Sequence, residues 1–526
     1  MSEIILSTYL AQIEQTLPRL LAMFDVDRTS RSHGMGDRYY WAWGLIDFGN
    51  GTFQGAAHGL ARLWRHGLWP YSTSKEQFME RMNALFHGAK NLTRQDGSLE
   101  EAFPHEGSYC VTALVAFDLL VATNLLDDDI DAETKTRWQQ IIAPMIDFLL
   151  HGNETHAIIS NHIATAVAAL VRWHHLTGDE AVEVHARMLM DRILSHQSPE
   201  GWFREYDGAD PGYQSLCTYY LADVHQMRPD WGLLVPLSNS IRFLWFFAHP
   251  DGSFGGHYGS RCTRFYYPAG IMALAGEVPE ARTLAAHMIR SIRNLKVVTL
   301  LAMDEPNLVP MFNAYCWAAV LSKTEMFGES EDTLELPALS SRSFRQYFQQ
   351  AGLFLDRGAH HYTVISVHKG GVVRHFINGY LQILDDGPVI RNSNGQLGST
   401  QSYSENNKMH WENENGLRIE SSATPMPKQL PGPLQFIALR IFCVTAFRSS
   451  RLREWVKQQL VKLLITGGKP WPVKNRRTII LGEMLKVTDQ LDLPAGYAQV
   501  GGIPSYVPIH MASQGYWQSQ DEERMP

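Results

Sequence analysis

The stretch NHIATAVAALVRW, from Asn161 to Trp173, indicates the fold class of this chain. Its residues are apolar on nearly every side of a helix, and such a helix is buried inside a packed array of other helices. The stretch SYCVTALVAFDLL, from Ser108 to Leu120, has the same character. Both indicate inner helices of a helical region that runs, with short breaks rich in Gly, Pro and Asp, to about residue 340.

Apolar helices of this kind recur at a nearly constant spacing. The predicted starts lie near Phe53, Tyr109, Asn161, Tyr213, Tyr267 and Asn313. Successive starts are 46 to 56 residues apart, and about 50 residues is enough for two helices with their loops. The pattern predicts an (α/α) toroid of about six helical hairpins. An open solenoid would show a tighter sequence repeat.

Each predicted inner helix begins with polar or aromatic residues. These residues are Gln54, Ser108 with Tyr109, Asn161 with His162, Tyr213 with Gln214, Tyr266 with Tyr267, and Asn313. In a ring of parallel inner helices, all these starts gather at one mouth. The free N–H groups and positive dipole ends of the helices there favour an anionic ligand.

The pattern changes from about Ala351 onward. HYTVISVHKGGVVRHFI, from His361, and KMHWENENGLRIESS, from Lys408, read as antiparallel strands between Gly, Asn and Asp turns. We therefore predict two domains in an α+β chain. The first is a toroidal catalytic domain over residues 1–340, and the second an antiparallel β-sheet or sandwich domain over residues 351–526 with an inserted basic helix at about 433–465.

The inserted helix lies in a strongly basic segment. From Phe436 to Arg477 there are ten Lys or Arg residues and one acid, Glu454. Two interpretations stay open for this segment. It is either a helix packed on the sheet with a solvated basic face, or a surface that contacts an anionic membrane.

Composition narrows the classes of function. The 526 residues include 46 Lys and Arg against 54 Asp and Glu, for a net charge of −8, which argues against a nucleic-acid partner. The five cysteines are scattered and form no CxxC pair, so neither a disulfide framework nor a structural zinc site is expected. The N-terminus lacks the pattern of a secretory signal. We expect a cytoplasmic protein, free or peripheral on the inner membrane face.

The block that follows the Asn161 helix carries a family resemblance. Asn161-His162 opens one inner helix, a Gly-rich turn with acidic residues spans Glu205 to Gly212, and Tyr213 opens the next helix 52 residues after Asn161. This arrangement resembles the heparinase II/III-like polysaccharide lyases, which are related to oligoalginate lyases and dermatan-sulfate epimerase. The resemblance implies a toroid followed by a β-domain and the β-elimination of uronates.

Elimination from a uronate requires a group that neutralises the carboxylate, a base for the C5 proton and an acid for the leaving oxygen. The resemblance assigns neutralisation to Asn161, assistance or the base for the other epimer to His162, and the base and acid role to Tyr213. Tyr219 is a weaker candidate because it lies inside the helix. Each residue also has a structural interpretation, such as the helix N-cap for Asn161.

Further candidates lie in loops near the predicted mouth. Arg261 is placed with the catalytic residues because a guanidinium binds carboxylate or sulfate in bidentate fashion, although it could instead pair with Glu205 or Asp210. The resemblance also implies that the β-domain brings a His and often a Tyr to the cleft, and the candidates here are His368 with Lys369 and Tyr403 with His410. The predicted substrate contacts are Glu106, Tyr109, Glu205, Asp210, His257, Tyr258, Arg264, Lys369 and Tyr403.

The sequence thus predicts a carbon–oxygen lyase that acts on an acidic polysaccharide or oligosaccharide, free or lipid-linked. Three alternatives stay open: a C5-uronate epimerase, a glycoside hydrolase with Glu106 and Asp210 as its acid and base, and a non-catalytic saccharide-binding protein of a surface-polysaccharide pathway. No cofactor and no metal are expected. The acidic run Asp127-Asp128-x-x-Asp131 resembles a magnesium motif but precedes a helix, where Asp is a common cap.

Overall fold

The computed structural model describes residues 2–44, 46–152, 158–206, 208–323, 334–426, 432–449, 452, 455–456 and 469–501. The α-helices within these ranges are α1 (Ser2–Leu21), α2 (Arg38–Trp41), α3 (Ala56–Arg65), α4 (Lys75–Leu92), α5 (Tyr109–Leu125), α6 (Ala132–His151), α7 (Ser160–Thr177), α8 (Glu180–Ser195), α9 (Pro211–Met227), α10 (Leu234–Trp245), α11 (Pro268–Ala273), α12 (Pro279–Arg293), α13 (Glu305–Leu321) and α14 (Pro433–Val444).

Six of these helices form a closed inner ring. Helices α3, α5, α7, α9, α11 and α13 contact one another in this order, and α13 also contacts α3. Helices α4, α6, α8, α10 and α12 alternate with them along the chain and lie outside, and α1 packs against α13. The first helix of the chain is therefore the outer partner of the last inner helix. The predicted (α/α) toroid is confirmed.

The difference between inner and outer helices follows from their sequences. Helix α5 is buried along most of its length and opens after Ser108, whose side chain accepts a hydrogen bond from the Val111 backbone N–H at 3.2 Å. Helix α6 buries only one face and is capped by Asp131, which accepts from the Thr134 N–H at 2.7 Å. Capping therefore accounts for Asp131 in the acidic run.

The last inner helix begins earlier than the sequence pattern predicted. Helix α13 begins at Glu305, after the capping residue Asp304, so the predicted start at Asn313 is wrong. Asn313 is fully buried in the middle of α13. Its side chain accepts from the Gly59 N–H at 2.9 Å and donates to the Gly55 carbonyl at 3.0 Å. Asn313 thus closes the ring by joining α13 to the start of α3.

The C-terminal part is built from antiparallel strands, which confirms the α+β class. The strands are β1 (Phe344–Phe348), β2 (Leu353–Arg357), β3 (His361–Ser366), β4 (Val372–Ile377), β5 (Tyr380–Asp385), β6 (Val389–Asn392), β7 (Leu397–Ser399), β8 (Lys408–Asn413), β9 (Gly416–Ser422), β10 (Thr424–Pro425), β11 (Lys474–Ile480), β12 (Lys486–Asp492) and β13 (Tyr497–Val500). Within the described ranges they form three sheets, in the orders β1-β2-β3-β4-β5, β10-β7-β6-β13 and β12-β11-β9-β8. The first strand begins before residue 351, and the proposed domain limits stay a prediction.

Helix α14 covers the first part of the predicted inserted helix at about 433–465, and most of the basic segment after residue 449 lies outside the described residues, so the rest of that helix stays a prediction. Helix α14 and the turn after it contact the toroid. The Arg440 guanidinium lies 2.8 Å from the Asp47 carboxylate, and the Phe447 ring lies 5.7 Å from the Phe103 ring. Among the described residues, the structure contains no helix with the length and apolar character needed to span a membrane.

The β1–β5 sheet packs on one end of the toroid. The Tyr362 hydroxyl donates to the Phe246 carbonyl at 2.5 Å, and a Cβ atom added to Gly256 would lie only 2.7 Å from the Arg374 guanidinium carbon. The contact therefore requires glycine at position 256, whose φ is also positive at 142°. This packing brings residues of the sheet region to the loops that follow α8 and α10.

Candidate active site

The start of α7 is joined to the loop before α9 through one carboxylate. Glu205 accepts hydrogen bonds from the backbone N–H of Asn161 at 3.0 Å and from its side-chain Nδ2 at 2.7 Å. Asn161 is not the N-cap of α7, because that position belongs to Ile159. The capping interpretation of Asn161 is therefore wrong, and its amide is oriented by an acid 44 residues away.

Glu205 has an unusual environment for a carboxylate. It is fully buried, and burial raises its pKa from 4.5 to about 7. The charges of His162 and Arg261 and the two hydrogen bonds from Asn161 act in the opposite direction. Because the pKa lies near neutrality, the charge next to Asn161 changes within the physiological pH range.

Arg261 lies between two tyrosine rings. Its guanidinium carbon is 4.6 Å from the ring centres of both Tyr206 and Tyr213, and its Nη2 lies 3.4 Å from the Tyr213 hydroxyl oxygen. The side chain is buried, with 4% exposure. Burial alone would lower the arginine pKa, but the neighbouring tyrosines and carboxylates raise it. The site therefore holds a fixed positive charge in contact with a phenol oxygen.

Asp210 holds the elements of this site together. One of its oxygens accepts from the Tyr213 N–H at 3.1 Å, which caps α9, and from the Thr263 hydroxyl. The other accepts from the Arg261 N–H at 3.0 Å. Asp210 is fully buried, and this burial raises its pKa. It fixes the start of α9 against the 252–267 loop that carries Arg261.

The sheet region contributes a tyrosine and a histidine beside the turn that carries Glu205 and Gly208. The Tyr403 ring lies against Gly208, where an added Cβ atom would be 2.5 Å from the ring. The Tyr403 hydroxyl lies 3.0 Å from His368 Nδ1, and the two rings meet edge to face. Burial lowers the His368 pKa, which favours the neutral imidazole. A second pair of groups able to transfer a proton thus lies next to the Glu205 turn.

Lys369 and His257 join the two parts of the chain. Lys369 is 1% exposed, and its ammonium donates to the carbonyls of His257 and Gly259, the latter at 3.3 Å. His257 Nδ1 lies 3.2 Å from an Asp386 carboxylate oxygen. These contacts are between protein groups, and the predicted substrate contacts of Lys369 and His257 stay predictions.

Four other predicted substrate contacts lie in the toroid, two in the 252–267 loop and two at or just before the start of α5. Tyr258 is 1% exposed, with its hydroxyl 2.8 Å from His249 Nε2, so its packing does not favour contact with a ligand. Glu106 accepts from the backbone N–H of Ala102 at 2.8 Å, within its own loop. Tyr109 begins α5 and is buried, and Arg264 is half-buried. Their roles stay predictions.

The interior position of Tyr219 supports the choice of Tyr213. Tyr219 is 1% exposed, and its ring packs against those of Tyr220 and Trp317 at 4.8 and 5.6 Å. Tyr213 instead lies at the start of α9, in contact with Arg261. His162 is half-buried in the first turn of α7, and His410 is exposed on β8.

Sequence reasoning missed Tyr206. Its φ of 57° falls in the left-handed region, which is uncommon for residues other than glycine. This conformation occurs in the turn before Gly208, where the ring covers one face of Arg261. An aromatic residue directly after Glu205, in a turn already identified as part of the site, was the available signal.

One group of metal-ligating residue types is found among the described residues, and it lies away from this site. Ligand atoms of His174, Glu180 and Glu183 lie within 4.8 Å of one another, at the junction of α7 and α8. Glu183 also forms an ion pair with Arg228. A guanidinium bound to one of the carboxylates opposes cation binding, so we assign no metal to this group.

A family model matches the middle part of the chain. Residues 69–270 match the family model described as ulvan lyase N-terminal domain, which is 202 of the 526 residues. The matched segment includes Asn161, Glu205, Tyr213 and Arg261. A comparison with curated proteins finds no match. Residues 69–270 are thus similar to the N-terminal domain of ulvan lyase, and the resemblance to a heparinase-like polysaccharide lyase family inferred from the sequence is confirmed.

Solved structures show likenesses at low sequence identity. Chondroitin AC lyase of Streptomyces coelicolor A3 is 10% identical, with a TM-score of 0.47 over 80% of this chain and 64% of that chain. Heparinase III is 10% identical, with a TM-score of 0.43 over 89% and 75%. Cellobiose 2-epimerase from Bacillus thermoamylovorans B4167 is 10% identical, with a TM-score of 0.45 over 61% and 99%. These likenesses concern the fold alone.

Proposed function

We propose that this chain cleaves uronate-containing polysaccharides or oligosaccharides by β-elimination, with Tyr213 as base and acid. The observation that carries the proposal is the contact of the Arg261 guanidinium with the Tyr213 hydroxyl, 3.4 Å away. A fixed cation stabilises the phenolate that must form before a tyrosine can remove a proton. The same cation attracts an acidic sugar to this position.

The reaction needs three events at one sugar unit. Tyr213 removes the proton from C5, the carboxylate beside C5 accommodates the developing negative charge, and the bond from C4 to the leaving oxygen breaks. Tyr213 then returns the proton to that oxygen. The Asn161 amide stabilises the charge on the substrate carboxylate. Glu205 acts as a positioning residue for that amide, through its hydrogen bond of 2.7 Å to Asn161 Nδ2.

A C5-uronate epimerase is the second candidate. It begins with the same proton removal, but a proton then returns to C5 from the opposite face. The Tyr403–His368 pair beside Gly208 favours this candidate, because it supplies proton-transfer groups in addition to Tyr213. The two reactions differ in their products, so one set of measurements separates them.

The hydrolase alternative has less support. An inverting hydrolase needs one carboxyl group to donate a proton and a second to activate water. Both Asp210 oxygens already accept hydrogen bonds from backbone N–H groups, and Glu106 accepts from the Ala102 N–H. Neither carboxylate is positioned as an open acid or base.

The decisive experiment is the near-ultraviolet absorbance of purified protein with a panel of acidic polysaccharides and their oligomers. Elimination creates a conjugated C4–C5 double bond, so we expect absorbance to rise with at least one substrate and to stay flat with Asn161→Ala. Deuterium incorporation at C5 without new chain ends would establish the epimerase instead. New reducing ends without absorbance would indicate hydrolysis. Saccharide binding without any of these changes would indicate a binding protein.

We further propose that the substrate is lipid-linked and that α14 contacts an anionic membrane surface. Large apolar side chains of α14 face solvent, including Leu434 at 81%, Ile441 at 56% and Phe436 at 52% exposure. The basic residues that follow in the sequence complement anionic headgroups. Such a contact would bring the toroid mouth to glycans anchored at the inner membrane face.

Vesicle co-sedimentation tests this contact separately from catalysis. We expect the full chain to bind vesicles that contain phosphatidylserine more tightly than vesicles of phosphatidylcholine alone, and to lose binding when Leu434 and Phe436 are both changed to Ser. Val184→Ser on α8, where the side chain is 71% exposed, is the matched control and should bind as the unchanged chain does. Equal binding to both vesicle types, or no binding, would contradict the proposal.

A further inference from the structure

A buried lysine of the sheet region lies against a buried cysteine of the toroid. The ammonium nitrogen of Lys369 is 2.7 Å from the sulfur of Cys262, and their side chains are 1% and 0% exposed. This separation is ordinary for an N–H···O hydrogen bond but short for an N–H donor and a sulfur acceptor, because sulfur is the larger atom. The two residues are 107 positions apart in sequence. Their contact therefore depends on the packing of the sheet on the toroid.

The backbone on both sides holds this contact in place. Cys262 has a φ of 59°, in the left-handed region that a cysteine seldom adopts. Its neighbours on either side, Arg261 and Thr263, both bond to Asp210. Lys369 is held by the carbonyls of His257 and Gly259. The sulfur and nitrogen atoms therefore face each other on two fixed segments.

The chemical environment of the sulfur has opposing influences. Burial raises the pKa of the Cys262 thiol, as do the nearby charges of Asp210 and Asp386, whereas the Lys369 ammonium lowers it. The lysine supplies a positive charge that stabilises the thiolate, which is the form that peroxides oxidise. Hydrogen peroxide is small and uncharged, so no charged reagent has to enter the buried site.

We propose that Cys262 and Lys369 form a covalent cross-link through one oxygen atom, S–O–N, when hydrogen peroxide oxidises the protein. One peroxide converts the thiol to a sulfenic acid and is reduced to water. The Lys369 ammonium then releases a proton to give the amine. A second peroxide takes one hydrogen from the S–O–H group and one from the amine, the N–O bond forms, and two waters are released. Each peroxide accepts two electrons.

This modification would tie the two parts of the candidate site together. Cys262 follows Arg261 directly, and Lys369 follows His368, which contacts Tyr403. A covalent bond would fix the loop that carries Arg261 relative to the histidine of the sheet region. The inference concerns oxidation and does not rest on the proposed lyase activity, so it stands or fails by chemical analysis of the protein alone.

Mass spectrometry of the full chain after hydrogen peroxide treatment tests the cross-link. Gain of one oxygen and loss of two hydrogens raises the mass by about 14 Da, whereas a sulfenic or sulfinic acid adds about 16 or 32 Da. We expect the smaller increase, a peptide pair joined between Cys262 and Lys369, and reversal of both by dithiothreitol. Oxidation of Cys262 only to its oxyacids, or an unmodified Cys262, would overturn the proposal.

Two substitutions and a control locate the bond. Cys262→Ser and Lys369→Arg each remove one bonded atom, so each should abolish the joined peptide pair. Cys217→Ser changes another fully buried cysteine and should leave the pair intact. A variant that fails to fold is recognised by its circular dichroism, and the other variant then decides. In the unchanged chain, the cross-link should raise the unfolding temperature by a few degrees in a manner that dithiothreitol reverses.

Discussion

Asn161 donates two hydrogen bonds to Glu205, one from its backbone and one from its side chain, and this acid has no exposure to solvent. A buried carboxylate that accepts two hydrogen bonds is stable in its charged form only to the extent that these bonds replace its lost hydration. Here the replacement is incomplete, because the pKa of Glu205 is raised to about 7. The link between the two residues is therefore sensitive to pH.

This sensitivity predicts a pH dependence of stability. The pKa of Glu205 is higher in the folded chain than the ordinary value of 4.5, so the folded state binds the proton more tightly. Its contribution is fully present below pH 4.5 and is lost as the pH rises through about 7. The shift of the Glu205 pKa from 4.5 to about 7 corresponds to about 3 kcal/mol of unfolding free energy. Urea unfolding of the unchanged chain and Glu205→Gln between pH 4 and pH 8 measures it.

The comparison of the two unfolding curves isolates Glu205 from other titrating groups. We expect the unchanged chain to lose stability relative to Glu205→Gln as the pH rises through this range. Parallel pH profiles for the two proteins would show that Glu205 titrates as an ordinary carboxylate, and would contradict the burial argument.

Tyr213→Phe removes the hydroxyl beside Arg261 and retains the ring. If Tyr213 transfers the proton, turnover should fall by about 100-fold to 10,000-fold with little change in the unfolding temperature. Tyr206→Phe is the matched control, because a phenyl ring still covers the Arg261 guanidinium. Initial rates of absorbance increase on the best substrate measure both variants. Full activity in Tyr213→Phe would move the base role to His162 or Tyr403.

Arg261→Lys keeps the positive charge but loses the planar group between the two rings. A lysine cannot stack on Tyr206 and Tyr213 at once, so kcat should decrease by about 100-fold. Arg242→Lys changes an arginine of α10 whose side chain is 56% exposed, and kcat should stay unchanged. Equal kcat values in both variants would mean that charge alone accounts for the role of Arg261.

Gly208→Ala tests whether the sheet region takes part in turnover. The new methyl group would lie 2.5 Å from the Tyr403 ring, so the ring must move away from the Glu205 turn. A displacement of this size should reduce kcat/KM by roughly 10-fold to 100-fold. Gly501→Ala, where the added carbon meets open space, is the control. Unchanged kinetics in Gly208→Ala would exclude Tyr403 from the reaction.

Asn313→Ala tests the closure of the ring. The substitution leaves the Gly59 N–H and the Gly55 carbonyl buried without the side chain that bonds both of them. We expect the unfolding free energy to fall by about 2–5 kcal/mol. Asn239→Ala on the exposed face of α10 should change it by less than about 0.5 kcal/mol. Denaturant unfolding of both variants measures the difference.

The sequence predicted the toroid because its inner helices are apolar on all sides and recur at a regular interval. The apolar run near Asn313 predicted a start of α13 that is too late. The earlier start is indicated by Asp304-Glu305-Pro306, a cap followed by proline in the first turn. The role of Asn313 in joining α13 to α3 could not be predicted, because it depends on a contact between segments that are 254 residues apart in sequence.

The same reasoning applies to the candidate site. Asn161, Tyr213 and Arg261 could be selected because they lie at or before helix starts, which a periodic sequence locates. The partnership of Tyr403 with His368 could not be predicted, because it depends on a tertiary contact between two segments of the sheet region that are 35 residues apart. The position of Lys369 against Cys262 depends on how the sheet packs on the toroid. Residue type alone predicts that Lys369 binds an acidic substrate.

The hydrogen bond between Asn313 and Gly59 spans 254 residues of sequence. During synthesis, α3 emerges from the ribosome long before its neighbour α13. At about 5–20 residues per second, this partner arrives roughly 13 to 50 seconds later. Until then the ring of inner helices cannot close, and the faces of α1, α3 and α11 that pack against α13 are without that partner. The ring can therefore close only after almost the whole helical part of the chain has been synthesised.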